Sequence, residues 1–462
     1  MHKLIKMSCK QKRELDKMDM LELQGYSGRV RELLERENIN IGDEIEIISN
    51  GRRYRGILMA RYELADPNYI TLKLPNGYNI GIRVTENTTV SKISVGVRPT
   101  FVRPPKPQTL SDLPNVVIIS TGGTIASRVE YRTGAVRPAL DAEDLLAIVP
   151  ELAEIAKIDT EVLYNVWSEN IQVQHWIGMA EAIDRSIRKG ADGVVLTHGT
   201  DTMGYTAAAL SFALQKPPIP IVLVGAQRSS DRPSSDAATN LIAAVATAAK
   251  APFGEVVVAM HKWHSDDVIA LHKGTRVVKL HTSSRDAFRS VNSRPIAYYQ
   301  HGELKVVVNN LNPRGSNEYV FKPKFDTRAF LIKFFPSMKP DILNILADAG
   351  IKGFIIEGTG LGHVSSDWVP VIRGLTKRGI FVGMTSQCKF GKVNMNVYDS
   401  GRDLLKAGVI PLDDMLSEVA LVKLMWTLGN LGEGAELEEI KNLMLKNIAG
   451  EIYSRSLPNV GL

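Results

Sequence analysis

The chain has 462 residues, 44% of them hydrophobic and 23% charged, with a formal net charge of +6. At about 100–200 residues per domain, that length implies two to four domains with ample core. Its two cysteines, Cys9 and Cys388, exclude a disulfide-dense scaffold and a four-thiolate zinc site, and no apolar run reaches the roughly 18 residues of a membrane helix.

Residues 1–37 form an N-terminal helical or tail segment. Charges throughout the first twenty residues leave no apolar core for a signal peptide, so a reducing cytoplasm is the expected location. Val30, Leu33 and Leu34 fall on one side of a helix over Gly28–Arg36. From 38 to 98 the period changes to two, with Ile45, Ile47, Ile57, Met59, Ile70, Leu72 and Leu74 alternating with other residues. Pro75-Asn76-Gly77 is a hairpin turn, since both central residues of a type I′ turn need positive φ. Four or five such short strands predict a small β barrel.

The stretch Asn50–Lys106 is basic. Its Arg52, Arg53, Arg55, Arg61, Lys73, Arg83, Lys92, Arg98, Arg103 and Lys106 face only Glu63, Asp66 and Glu86. Such a surplus could attract a polyanion such as nucleic acid, although on charge alone a plain solvated surface is the better reading. A proline-rich linker follows at 99–113.

Residues 114–310 then alternate β and α. Strands are expected over Val116–Ser120, Gly193–Thr197, Ile219–Val224 and Glu255–Met260. Helices are expected near Asp141–Ile148, Gln172–Arg188, Met203–Leu214 and Ser234–Ala249. Continuous apolar strands predict a mostly parallel sheet covered on both faces. After a linker at 311–328, a smaller α/β domain spans 329–430, and a helix and tail close the chain at 431–462. The expected fold is therefore α/β, a small N-terminal barrel followed by a two-domain core.

In open α/β sheets ligands bind beyond the carboxyl ends of the strands. Two strand ends stand out. One runs into Ser120-Thr121-Gly122-Gly123-Thr124-Ile125, the other into Thr197-His198-Gly199-Thr200-Asp201-Thr202-Met203. Neither has the spacing of a P-loop or a dinucleotide fingerprint. Threonines at two strand tips, beside an acid and backbone donors, suggest acyl chemistry on a small amide, although each turn alone also fits a capped strand–helix connection. A threonine hydroxyl needs a base or relay to become a nucleophile. Lys279 is the candidate; within its apolar run it requires a carboxylate partner such as Asp201, or else reaches solvent from a strand edge.

These two turns resemble the signature motifs of the bacterial-type L-asparaginase/glutaminase family, in the family's order and at compatible spacing, over roughly 114–429. The resemblance implies an asparaginase-like two-domain core and a set of roles. Thr124 would be the nucleophile of the first turn and Tyr131 its assistant on a lid. Thr200, Asp201 and Lys279 would form the second triad. Ser168 and Glu169 would hold the two ends of the substrate's α-carbon, with Gly123 and Gly199 as the close-approach glycines of the turns. A threonine would attack the side-chain amide, ammonia would leave, and water would cleave the acyl-enzyme. No metal is needed. The departures are His363 and Ser365, where secreted members carry asparagines, and the long N-terminal extension.

That extension, with Ile41-Gly42-Asp43 and Gly77-Tyr78-Asn79-Ile80-Gly81-Ile82, is similar to the glutaminase subunits of archaeal tRNA-dependent amidotransferases, as are Ala226–Asp236 and Thr385-Ser386-Gln387-Cys388. The resemblance implies glutamine as substrate and a homodimer core paired with a partner, the amidotransferase's E subunit, in a heterotetramer. That partner would use ATP and magnesium to amidate glutamate on tRNA(Gln), with no cofactor in this chain. The alternatives are a free-standing cytoplasmic L-asparaginase and a catalytically silent tRNA-binding scaffold.

Two further features lie outside this scheme. His261, His264, His272 and His281 are close enough in sequence to raise a zinc site, against a reading as exposed or wall-forming residues. Cys388 reads as a small buried residue rather than a thiol nucleophile, because no histidine pattern accompanies it.

Overall fold

The computed structural model describes residues 23, 25–61, 66–74, 79–95, 112–122, 127–130, 135–138, 149–228 and 235–455. The expected turn at Pro75–Gly77, the proline-rich stretch at 98–107 and the expected helix at Asp141–Ile148 lie outside them. The described residues form two units. One covers 23–95 with the short segments 127–130 and 135–137, and the other holds nearly all the rest.

In the first unit, α1 (Gly28–Arg36) precedes β1 (Glu44–Ser49), β2 (Arg52–Leu58), β3 (Tyr69–Lys73), β4 (Asn79–Arg83) and β5 (Thr89–Ser94). Alternation buries Ile45, Ile47, Ile70, Leu72, Ile82 and Val90 in one cluster with Val30 and Leu34 of α1. The strands form an antiparallel sheet in the order β4-β3-β2-β1-β5. The expected closed barrel is not found: among the described residues no ladder joins β4 to β5. The reason is local. β2 meets β3 only at Ile57↔Lys73 and Leu58↔Leu72, the shortest ladder of the sheet. The sheet still curls, since Ser49 Oγ at the end of β1 donates to the Arg83 carbonyl of β4 at 3.2 Å.

The second unit begins with β6 (Asn115–Ser120). β7 (Ser127–Glu130) and β8 (Ala135–Pro138), which group with the first unit, make a two-stranded sheet of their own. The second unit continues with β9 (Lys157–Val162), α2 (Val173–Arg188), β10 (Gly193–Thr197), α3 (Met203–Ala213), β11 (Leu214–Gln215) and β12 (Ile221–Val224). They are followed by α4 (Ala237–Lys250), β13 (Val256–His261), β14 (Val268–Lys273), β15 (Val277–Lys279), β16 (Phe288–Ser290), β17 (Ala297–Gln300) and β18 (Glu303–Val306). The last part holds β19 (Val320–Phe321), β20 (Ala329–Lys333), α5 (Asp341–Asp348), β21 (Gly353–Gly358), α6 (Trp368–Lys377) and β22 (Phe381–Ser386). It closes with α7 (Asp399–Lys406), β23 (Ile410–Pro411), α8 (Ser417–Leu431) and α9 (Leu437–Leu445).

The large sheet runs β18-β17-β14-β13-β12-β10-β6-β9. It is parallel from β9 to β13, where all four expected strands lie, and antiparallel from β13 to β18, so the sheet is mixed with parallel pairing in the majority. The reason is connection length: β13 reaches β14 through the short tip 262–267, too short for the crossover that parallel pairing requires. The small sheet, β20-β21-β22-β23, is parallel throughout.

β10, β12 and β13 are buried at every position because helices cover both faces. Alanine-rich α4 packs on one face and α3 on the other. A third cluster joins Phe212 of α3 and Trp176 of α2 to Ile355, Phe381 and Trp426, so α8 ties the small sheet to the large one.

Candidate active site

The tips of β6 and β10 lie side by side, with Ser120 opposite Thr197 in the parallel ladder. The Thr121 hydroxyl donates to the Thr197 carbonyl at 2.8 Å, joining the two turns where the strands end. Gly122 has φ of +116°, and a Cβ there would sit 2.4 Å from the Val166 carbonyl oxygen, so this turn admits only glycine. Thr124, Tyr131 and Gly123 lie outside the described residues.

The second turn is described in full. Thr200 and Asp201 sit between β10 and α3, and Lys279 ends β15. Lys279 Nζ donates to Thr200 Oγ1 at 2.9 Å and to Asp201 Oδ1 at 2.7 Å, across 79 and 78 positions of sequence. The ion pair expected for an otherwise isolated lysine is therefore present. Lys279 is 13% exposed and Asp201 69%, so the ammonium is sheltered while the carboxylate opens to solvent.

Ser168 and Glu169 lie on the short turn Ser168–Asn170. Ser168 is buried and joins the second turn. The Thr202 hydroxyl donates to its carbonyl at 2.7 Å, and a Cβ on Gly199 would meet the Ser168 Cβ at 2.7 Å. Close approach is thus the requirement at Gly199. Glu169 is exposed beside Ser168. No side chain caps α3, so the main-chain N–H groups of its first turn remain available to an anionic group.

Beneath the turn is a layer the sequence motifs had not singled out. His198 is buried, with Nδ1 2.7 Å from the Gly199 carbonyl and Nε2 2.9 Å from Thr206 Oγ1. Trp176 Nε1 donates to the same Thr206 oxygen at 3.1 Å. Burial pushes the imidazole down to about 4, against the opposing bond to the Gly199 carbonyl, so it is neutral near pH 7. The available signal was its position, one residue before Gly199 in an otherwise apolar run.

The other histidines do not converge. His261 bonds Asn240 and Asp266, His272 bonds Ser290, His264 faces Asp286, and His281 accepts from the main chain of Ser283 and Ser284. Among the described residues no cluster suits a metal ion. Cys388 is exposed, not buried as expected, because its turn leaves β22 at the surface, where Ser386 Oγ accepts its N–H. His363 pairs through its main chain with Thr359 and packs edge-on against Tyr398. No described helix is long and apolar enough to cross a membrane.

Comparison with known proteins follows this geometry. Residues 115–311 match the family model "Asparaginase, N-terminal", residues 328–444 the "Glutaminase/Asparaginase C-terminal domain", and residues 39–93 the "GatD N-terminal domain". The chain is 50% identical over 428 residues to the D subunit of the glutamyl-tRNA(Gln) amidotransferase of Sulfolobus acidocaldarius, covering 92% of this chain and 95% of that one. With the D subunit of the Saccharolobus solfataricus enzyme it shares 49% over 437 residues, covering 94% and 97%. Among solved structures, the L-asparaginase of Thermococcus kodakarensis superposes with a TM-score of 0.65 at 37% identity, covering 74% of this chain and all of that one. L-asparaginase I of Vibrio cholerae gives 0.64 at 28%, covering 74% and 99%.

Proposed function

We propose a function that proceeds from the chain's family: the chain belongs to the family of glutamyl-tRNA(Gln) amidotransferase D subunits, a branch of the asparaginase/glutaminase family with an added N-terminal domain. It is the glutaminase subunit of a tRNA-dependent amidotransferase and an asparaginase-type amidohydrolase. It releases ammonia from glutamine, and a partner, the E subunit, uses that ammonia, with ATP and magnesium, to convert Glu-tRNA(Gln) to Gln-tRNA(Gln). This chain then needs no cofactor of its own. Its place of work is the cytoplasm, where its tRNA is, and its catalytic core is a homodimer within a heterotetramer.

The observation that carries the chemistry is Lys279 Nζ lying within hydrogen-bond reach of both Thr200 and Asp201. In our reading Ser168, Glu169 and Asp201 hold the α-carboxylate and α-amino group of glutamine, with the open N-terminus of α3 beside them. A threonine hydroxyl, Thr124 with Tyr131 or Thr200 with Lys279, attacks the side-chain carboxamide carbon. Its proton passes through the neighbouring relay to the leaving nitrogen, the C–N bond breaks, and ammonia departs. Water then attacks the threonyl ester, and the second threonine with the Lys279–Asp201 couple takes up the water's proton. Glutamate leaves and the hydroxyl is restored. Gly123 and Gly199 let main-chain donors approach the developing oxyanion, where one donor contributes about 10²–10³ in turnover.

The test measures ammonia release from glutamine and from asparagine, with and without the E subunit and Glu-tRNA(Gln). Glutamine hydrolysis should rise when both are added. Strong asparagine hydrolysis by the lone chain would instead identify a free-standing asparaginase. The basic segment 50–106 is our candidate contact for tRNA; deleting it should weaken salt-sensitive tRNA binding by the complex.

A further inference from the structure

We infer that His198 is a positioning residue for amide hydrolysis, setting the Gly199–Thr200 peptide through its Nδ1–H; the inference rests on the function proposed above. The hydrogen bonds beneath the turn have only one consistent direction. An indole N–H can only donate and a carbonyl oxygen can only accept. The Gly199 carbonyl therefore fixes the proton of the neutral ring on Nδ1, which donates to it. Nε2 is then the acceptor and takes the Thr206 hydroxyl proton, while Trp176 donates to a lone pair of the same oxygen. Trp176 of α2, Thr206 of α3 and His198 at the end of β10 thus form one relay that fixes the tautomer, and burial keeps the ring neutral.

Its end point explains why it matters. Gly199 can carry no side chain because Ser168 occupies that space, so nothing on its own Cα restrains the peptide that follows. A glycine rotates about its backbone torsions at little steric expense. The bond from His198 removes that freedom by holding the Gly199 carbonyl inward. The next residue then presents its hydroxyl to Lys279 at 2.9 Å. His198 itself touches neither Lys279 nor Asp201 among its hydrogen bonds; it acts through Thr200.

Two variants separate this role from simple filling of space. Asparagine places an N–H where Nδ1 stood, whereas glutamine places its carboxamide where Nε2 stood and leaves the Gly199 carbonyl without a donor. For His198→Gln, kcat for glutamine in the holo-complex should fall about 10–100-fold with KM within about twofold, the pattern of a misaligned reacting group. His198→Asn should recover kcat to within about threefold of wild type. Thr206→Val, which removes the donor to Nε2 while keeping volume, should lower kcat in the same direction, and it serves if either histidine variant fails to fold. Wild-type kcat in both His198→Gln and Thr206→Val overturns the inference, as does a His198→Asn variant as impaired as His198→Gln. Thr200→Val, measured alongside, distinguishes the two levels. If it turns over glutamine like wild type, the underlying site assignment fails; if it is inactive while both His198→Gln and Thr206→Val keep wild-type kcat, only the positioning role fails.

Discussion

Two ammonium–carboxylate pairs in the second unit have nearly the same separation and opposite surroundings. Lys423 meets Glu451 at 2.6 Å with both side chains fully enclosed, and Lys279 meets Asp201 at 2.7 Å with the carboxylate mostly in solvent. Every N–H of the Lys423 ammonium is committed, to Glu451 and to the Met444 and Lys446 carbonyls, and Glu451 accepts in turn from the Ile448 and Ala449 main chain. Burial pushes the Lys423 ammonium below its ordinary value and the Glu451 charge opposes that shift. This saturated pair is a fastener for the C-terminal segment. At Lys279 the two partners are a threonine hydroxyl and an acid whose carboxylate faces solvent. The same chemistry is structural where all its bonds are filled, and in our proposal it serves catalysis where one partner stays open.

The sharpest way to break this contrast is Lys279→Met. Glutamine turnover should drop by about 10²–10⁴, as for loss of a positioned proton-transfer group, while the melting temperature barely moves. Retained turnover would make Lys279 a fastener too. Lys423→Met should do the reverse, removing about 3–5 kcal/mol of stability in denaturant melts because Glu451 is left charged and unpaired, with kcat per folded molecule near wild type. Lost activity in a fully folded Lys423→Met protein would erase the distinction.

Buried histidines extend it to pH. Burial, helped by the Arg289 guanidinium, pushes His272 down to about 3, and burial pushes His198 down to about 4. Both stay neutral in the folded chain while the unfolded chain takes up protons below pH about 6.5. Their stabilising effect is therefore complete above pH about 6.5 and declines as the pH falls toward 4. The melting temperature should fall over that window less steeply in His272→Asn, which keeps a group facing Ser290; equal slopes would refute the assignment. Smallest of all, Arg378→Ala removes an exposed pair with Asp348 and should change stability by less than about 1 kcal/mol.

Periodicity located most elements to within a few residues. Gly193–Thr197 and Gly28–Arg36 coincide with their expected ranges, and α2 and α3 differ by one residue at one end. The antiparallel half of the large sheet was mostly illegible, because apolar runs such as Val268–Lys273 report burial but not strand direction. Among the described residues the expected barrel is not closed, for a related reason: alternation shows which face is buried, whereas closure depends on register between strands far apart in sequence. α7 escaped notice because Asp399–Lys406 buries only Gly401 and Leu404. Cys388 was misjudged because a residue type says less than the turn that carries it.

Local residue pattern determined where strands stop and which turns carry threonine beside glycine, and it left Lys279 a choice between an acid and solvent. Torsional and solvation preferences act over a few neighbouring residues, so one dimension suffices for them. Only the tertiary structure decided that the lysine meets Thr200 across 79 positions, that Lys423 is wholly enclosed, and that Trp176, Thr206 and His198 support the turn from below. Those are consequences of packing between distant segments, where exposure and hydrogen-bond direction arise from the company a side chain keeps rather than from its neighbours along the chain.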